Sequence, residues 1–220
     1  MRNPRPEQLD LINKYTPAQT PPLKAEELIV FTFVGADNIL NRSQSRWRTQ
    51  ELIQLAKLCP GLPLTLDHEW DDVSKVQGII FDSRITKVNN PDIVDTAINS
   101  AGNAPINNAI ITTEGLLQLE FDAAIPINSQ ILEALRFGLL GKVSFGGFRF
   151  RDILCPICNQ SFSSSACPHS IPWGSSVGMG VENENTAPYY VRTDVYDLLE
   201  CSIVLAPNLP MAGVKLRLFQ

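Results

Sequence analysis

Between residues 155 and 169 the chain reads Cys155-Pro-Ile-Cys158, then eight residues, then Cys167-Pro-His169. The pattern C-x2-C-x8-C-x-H offers four soft ligands in two close pairs, which can meet one ion tetrahedrally. A C-x2-C turn bends two thiolates toward one point, and the second pair closes the site. The intervening loop, Asn159 to Ala166, is mostly serine and small residues and can wrap an ion without a core of its own. A disulfide pair or surface thiols are the competing readings. Five cysteines make an odd number, and Met1-Arg2-Asn3-Pro4-Arg5-Pro6 leads into no apolar signal region, so a disulfide framework is disfavoured. Four protein ligands fill a tetrahedral zinc site, so a Zn2+ held by Cys155, Cys158, Cys167 and His169 is expected to be structural.

The chain holds only two histidines. If His169 belongs to a metal, His68 is the only free imidazole, and a mechanism needing such a base near neutral pH must use it.

A length of 220 residues suggests one domain with appendages. A hydrophobic share of 44% is enough for a core and excludes a largely disordered chain. Lysine and arginine number 18 against 23 acidic residues, a net charge of −5, with no basic run. That balance argues against a protein that grips a nucleic-acid backbone. No apolar stretch reaches membrane-span length, so a soluble intracellular protein is expected.

Along the chain, residues 1–27 hold five prolines and little periodicity, and read as a flexible or loosely docked arm. Glu27 to Gly35 reads as a buried strand. Ser45 is expected to cap a helix running to Cys59, with Leu52, Leu55, Ala56 and Cys59 inward and Pro60-Gly61 as its stop. Leu62 to His68 alternates, which places three leucines and His68 on one face. Gly78 to Thr86 is a further strand. Asn89 to Asn108 is polar, with one short helix after Pro91. Gly115 to Asp122 alternates, with Leu117, Leu119 and Phe121 inward and Gln118, Glu120 and Asp122 outward. Ser129 is expected to cap a short helix, Ile131 to Phe137. Lys142 to Phe150 reads as one strand carrying Ser144. Asp197 to Leu205 is another, with Glu200, Ser202 and Val204 on one face. The fold class is therefore α+β: a mixed, mainly antiparallel sheet or barrel of about six strands, a few flanking helices and a zinc-binding loop. Residues 28–220 form one domain with the zinc-knuckle insertion at 154–170.

Three segments stand out together: Leu62-Pro-Leu-Thr-Leu-Asp-His68-Glu-Trp70; Gly141-Lys-Val-Ser144-Phe-Gly146-Gly147-Phe148; and Leu199-Glu200-Cys-Ser202-Ile-Val-Leu-Ala206-Pro207-Asn208. In order and spacing over residues 45–215 they resemble the prohead maturation proteases of tailed phages. That family carries a histidine after an apolar strand, a serine in an S-x-G-F-like strand, and a late E-x-S segment. Here the serine segment has one glycine more than the plain pattern. The resemblance implies a serine endopeptidase with a herpesvirus-assemblin-like fold, with Ser144 the nucleophile, His68 the general base and Glu200 orienting the imidazole. It further implies the scaffold protein and major capsid protein as peptide substrates, a place inside the procapsid in the host cytoplasm, and room for a homo-oligomer.

The residue types suit that chemistry. A serine hydroxyl is a weak nucleophile until a base accepts its proton. An imidazole with a pKa near 6.5 is matched to that task near neutral pH. A carboxylate on its far nitrogen fixes the tautomer and steadies the imidazolium. Gly146 and Gly147 allow close backbone approach, where N–H groups near Ser144 can form an oxyanion site. Asp67, Asp71 and Asp72 are rivals of Glu200 for the orienting role. Trp70 and Trp173 suit a substrate cleft or a core cap, and Tyr189-Tyr190 reads the same way. There is no Gly-x-Ser-x-Gly elbow around Ser144, which disfavours an α/β-hydrolase. Two other functions compete: a catalytically inactive assembly protein with a structural zinc site, and a zinc-knuckle nucleic-acid binder. Against the latter, no lysine or arginine lies between Cys155 and His169, and Phe162 is the only aromatic there.

Overall fold

The computed structural model describes residues 2–16, 21–69, 71–102, 104–170, 187, 189–207 and 211–215. Trp70, Trp173 and Asn208 lie outside the described residues.

The strand β1 (Leu28–Asp37) is apolar on both faces because each face is covered by something different. Ile29, Phe31 and Phe33 enter the main core, with Phe33 stacked on Phe121 at 5.2 Å. Leu28 and Val30 point the other way and pack with Phe81 and Ala124. The helix α1 (Pro6–Lys14) covers that second side with a fully buried Ile12. A strand buried on both faces loses its alternation and reads as a continuous apolar run. Residues 1–27, expected as a flexible or loosely docked arm, contain a docked helix. Pro6 stands at its first position, where a missing N–H is harmless, and Leu9, Ile12 and Tyr15 follow at three-residue steps on the packed side. The Val30 N–H also donates to the Arg2 carbonyl at 2.9 Å.

Seven strands form the larger sheet, in the order β10 (Gly213–Val214), β1, β5 (Leu116–Pro126), β4 (Gly78–Val88), β3 (Pro63–Leu66), β9 (Glu200–Val204), β6 (Lys142–Gly146). Every neighbouring pair is antiparallel except β3 and β9. The smaller sheet orders β2 (Ser45–Arg46), β8 (Tyr190–Asp197) and β7 (Arg149–Leu154). The architecture is α+β with mixed sheets. Among the described residues the ladder does not close into a barrel: β10 and β6 are its two edges, with one hydrogen bond from the Val214 N–H to the carbonyl of Gly141, just before β6, at 2.6 Å.

The strand count exceeds the expected six for a local reason. The segment Lys142 to Phe150 is two strands, broken where Gly147 takes φ +70° and a Cβ would meet the Leu199 side chain at 2.5 Å. Its second half leaves the main sheet and pairs with β8, a strand whose polar outer positions hide it in the sequence. Ser45 is not a helix cap. It lies buried in β2, bonded to Asn41, and α2 (Thr49–Leu58) starts after Arg48. Leu52, Leu55 and Cys59 enter the core as expected. The polar stretch after Asn89 holds α3 (Pro91–Asn99) and the start of α4 (Ala104–Glu114), two helices where one was expected. Its polarity misleads because buried Asn107 serves the backbone, accepting from the Leu40 N–H and donating to carbonyls at the end of α3. Leu119 and Phe121 of β5 point inward, but Glu120 and Asp122 on the other face are also buried, beneath Arg84 and Lys215. A short α5 (Leu132–Arg136) precedes β6. Among the described residues no helix is long and apolar enough to cross a membrane.

Candidate active site

The parallel pairing of β3 with β9 sets Leu64 beside Cys201, Thr65 beside Ser202 and Leu66 beside Ile203. One face of this pair is core: Leu64, Cys201 and Ile203 are buried among apolar residues. The other face is polar and carries Thr65, Glu200 and Ser202, all buried. His68 does not stay on the leucine face as its alternation suggests. Asp67 and His68 both take positive φ, +50° and +63°, and the chain leaves the strand. Had β3 continued straight, position 68 would lie five residues past Glu200, about 16 Å away at the usual rise. The reversal instead brings His68 Nδ1 to 2.6 Å from Glu200 Oε1.

The turn is tied down where it matters. The His68 backbone N–H donates to Ser202 Oγ at 2.8 Å, and the Asp67 N–H to the Ile203 carbonyl at 3.1 Å. Thr65 Oγ1 and Ser202 Oγ each lie 2.7 Å from Glu200 Oε2 and 2.5 Å from one another, so two hydroxyl protons serve three oxygens. A buried carboxylate is tolerable only when its lone pairs are engaged in this way. Burial pushes the Glu200 pKa up, but the bonds from His68, Ser202 and Thr65 outweigh it and leave it below the ordinary value. The bond to Glu200 raises the His68 pKa; partial burial opposes it, and the charges of Glu200 and Asp67 add to the rise. Asp71 and Asp72, rivals in the sequence, do not hold the ring. Asp72 caps a short turn through the Ser74 N–H.

Antiparallel pairing of β6 with β9 places Gly146 opposite Glu200 and Ser144 opposite Ser202. Ser144 and Gly146, two residues apart, therefore share the face that carries Glu200 and Ser202. Gly146 has no room for a side chain: a Cβ would collide with Glu200 Oε1 and stand 2.7 Å from His68 Nδ1. The extra glycine of Ser-Phe-Gly-Gly-Phe thus splits its duties. Gly146 vacates space for the imidazole–carboxylate pair, and Gly147 supplies the kink into β7. Ser144 is partly exposed and makes no hydrogen bond to His68 among the described residues. A groove of about 320 Å³ is lined by His68, Glu200, Gly146, Gly147, Phe148 and Arg192. An adjoining recess, sharing Phe145, Phe148 and Arg192 with it, reaches Ser144. The His68 side chain is 42% exposed on this side, whereas Glu200 is sealed at 0%.

The three motifs pair His68 with Glu200 and leave three residues of the site without a role. Ser202 was visible as the last letter of E-x-S, and Thr65 as the one polar residue between leucines. Arg192 had no signal, because its strand was not recognised.

The Cys/His cluster lies at the far end of β7. The hairpin that follows is closed by Cys155 N–H to Gln160 O and Asn159 N–H to Cys155 O, both 2.9 Å, with Asn159 at φ +61°. The Cys167 N–H to Ser164 carbonyl turn aims the second pair. The four ligand atoms lie within 4.8 Å of one another. Cys158 Sγ is 3.6 Å from Cys167 Sγ, and Cys155 Sγ is 3.5 Å from His169 Nδ1. Tetrahedral zinc with bonds of about 2.3 Å to sulfur and 2.0–2.1 Å to nitrogen requires separations of about 3.5–3.8 Å. Those two separations meet that requirement, Cys167 Sγ lies 3.9 Å from His169 Nδ1, and the four residues are close enough to hold a metal ion. The Gln160 backbone N–H leads the influences that bring the Cys158 thiol down to about 7, which favours the thiolate a metal needs. Cys59 and Cys201 are buried in the core, where burial pushes both thiols up.

Searches against protein-family models, curated proteins and solved structures return no match to this chain.

Proposed function

We propose that the chain is a serine endopeptidase of the prohead-maturation type, in which Ser144 attacks the scissile carbonyl, His68 takes its proton and Glu200 orients the imidazole. The observation that carries this reading is the 2.6 Å contact between His68 Nδ1 and a buried, fully engaged Glu200 at the wall of an open groove. With Nδ1 held by the carboxylate, Nε2 is the nitrogen left for proton transfer. The shared face of Ser144, Gly146 and Glu200 supports the role of Ser144. The expected oxyanion donors are backbone N–H groups near Ser144, where Gly146 and Gly147 carry no side chains.

The four residues of the knuckle would hold Zn2+ as a staple. From Phe148 to Cys155 the chain spans about 20 Å of extended β7, too far for the ion to touch the reaction. The expected substrates are scaffold and capsid proteins inside the immature shell.

A second reading, a non-catalytic assembly protein on the same scaffold, draws on one observation: Ser144 is not hydrogen-bonded to His68. Apo proteases often show this contact loose, so the geometry leaves the first reading ahead. Co-expression of wild-type and Ser144→Ala chains with scaffold and capsid proteins separates them. Processing that stops with Ser144→Ala supports the peptidase. Processing unchanged by the substitution removes it.

A further inference from the structure

Ser144 and the imidazole–carboxylate pair are held by different parts of the sheet. His68 and Glu200 meet through the pairing of β3 with β9. Ser144 lies on β6, an edge strand, which pairs with β9 from Lys142 to Gly146. The other flank of β6 leans on β1, which is not its neighbour in the sheet order. Gly35, at the bulge of β1, makes room there for the Phe145 ring, to which a Cβ would come within 2.5 Å.

Residues 211–215 bridge these two strands. In β10, Val214 pairs with Phe33 and Gly213 with Val34 of β1, and the Lys215 N–H donates to the Thr32 carbonyl at 2.8 Å. The Val214 N–H turns the other way and donates to the Gly141 carbonyl at 2.6 Å, one residue before β6. Only glycine permits so close a crossing, since a Cβ on Gly213 would stand 2.7 Å from the Gly141 oxygen. Met211 packs on the cluster of Ile39, Ala97 and Ile110, whereas Ala212 and Val214 join the main core. Lys215 Nζ reaches the buried Glu120, which Arg84 and Thr86 also engage. A two-residue strand held by so few bonds opens more readily than the long strands β4 and β5. A shift of about 1 Å at a reacting group can cost about 100-fold in rate.

We propose that residues 211–215 are a clasp that positions β6, and through it Ser144, against the His68–Glu200 pair. Gly213 and Val214 are positioning residues that act through Gly141. The proposal rests on the peptidase reading for its effect on rate, and the test keeps the two apart. In native-state hydrogen exchange of the full chain, the amides of Val214 and Lys215 open together with those of 142–146, ahead of β4 and β5. This measurement needs no variant to fold. Val214→Pro removes the N–H that reaches Gly141, and Lys215→Glu sets a like charge against Glu120. Each speeds exchange at 142–146 by about 10-fold or more. Each also slows cleavage of a capped, randomised decapeptide mixture by about 100-fold, read by mass spectrometry. The His68 titration midpoint stays at its wild-type value, because β3 and β9 are untouched; a general loosening of the fold would move it. Lys215→Arg keeps the cation and with it the wild-type exchange and rate. Separate opening of 211–215 and β6, exchange at 142–146 that ignores both substitutions, a loosened β6 with an unchanged rate, or a His68 midpoint that moves with the rate each overturns the inference. Coupled opening, loosened by the two substitutions in a chain whose wild type cleaves no peptide, keeps the clasp on β6 and removes the peptidase.

Discussion

The two histidines of this protein sit in opposite kinds of site. His169 belongs to a cluster whose members fall within fifteen residues of one another, on one hairpin and one turn. His68 meets a partner 132 residues away, across a parallel strand pair, after a reversal at two residues of positive φ. The first site is built by local chain geometry and would be completed by a metal. The second is built by the sheet and completed by hydrogen bonds to a buried carboxylate. A local site can be lost without the fold, whereas the sheet-built site depends on the core beneath it.

The contrast is testable, beginning with the largest effect. Ser144→Ala and His68→Ala should each reduce peptide cleavage by about 10⁴-fold or more, and combining them should add little, because such residues act as a unit. A double variant whose loss is the product of the singles contradicts a shared mechanism. Glu200→Gln should cost about 10³- to 10⁴-fold by misorienting the ring.

That substitution also replaces the carboxylate that raises the His68 pKa with a neutral amide, so its midpoint should fall. The chain has two histidines, so an NMR titration of the assigned His68 ring protons reads this directly. The sign follows from linkage. A folded pKa raised above about 6.5 gives stability that is complete below 6.5 and lost as pH rises through the raised value. Activity runs the other way, rising with pH through the same value as the base form appears. In Glu200→Gln the residual activity should have its acid limb at lower pH; an unmoved limb argues that Glu200 does not act on His68.

Gly146→Ala should cost about 100-fold or more in rate, because the new methyl group occupies the place of the carboxylate–imidazole contact. Circular dichroism should still show a folded sheet. Ser202→Ala takes one partner each from Glu200, Thr65 and the His68 N–H, and should destabilise by about 1–3 kcal/mol in thermal unfolding. At the other site the effects on chemistry should be smallest. Cys158→Ser or chelation should release about one zinc per chain and expose the 155–169 amides to hydrogen exchange, while changing the cleavage rate less than about threefold. A rate that collapses with the metal would erase the distinction between the two sites.

The sequence was legible where structure is local. The alternation of Leu117, Leu119 and Phe121, the helical spacing of Leu52 and Leu55, and the metal spacing each follow from neighbours along the chain. It was misleading where a second layer intervenes. The docked face of α1 was hidden among prolines, and β8 was hidden by polar outer residues. The outward carboxylates of β5 are buried under Arg84 and Lys215, which no reading of β5 alone foresees. Asn107 looked like loop because its side chain satisfies backbone groups in the interior. The pairing of His68 with Glu200 was recovered only through the order of three motifs, and with the wrong face assigned to His68.

Composition and spacing alone determined that this chain has a core, that four ligands lie close enough to share a metal, and that one imidazole stays free of them. Those properties depend on residue type and short-range geometry, which a linear text records. Tertiary structure decided which face His68 occupies, why two glycines follow Phe145, and that Arg192 stands beside the groove with no carboxylate partner among the described residues. Each of these depends on which strands lie side by side, and strand pairing joins residues that the chain itself keeps far apart.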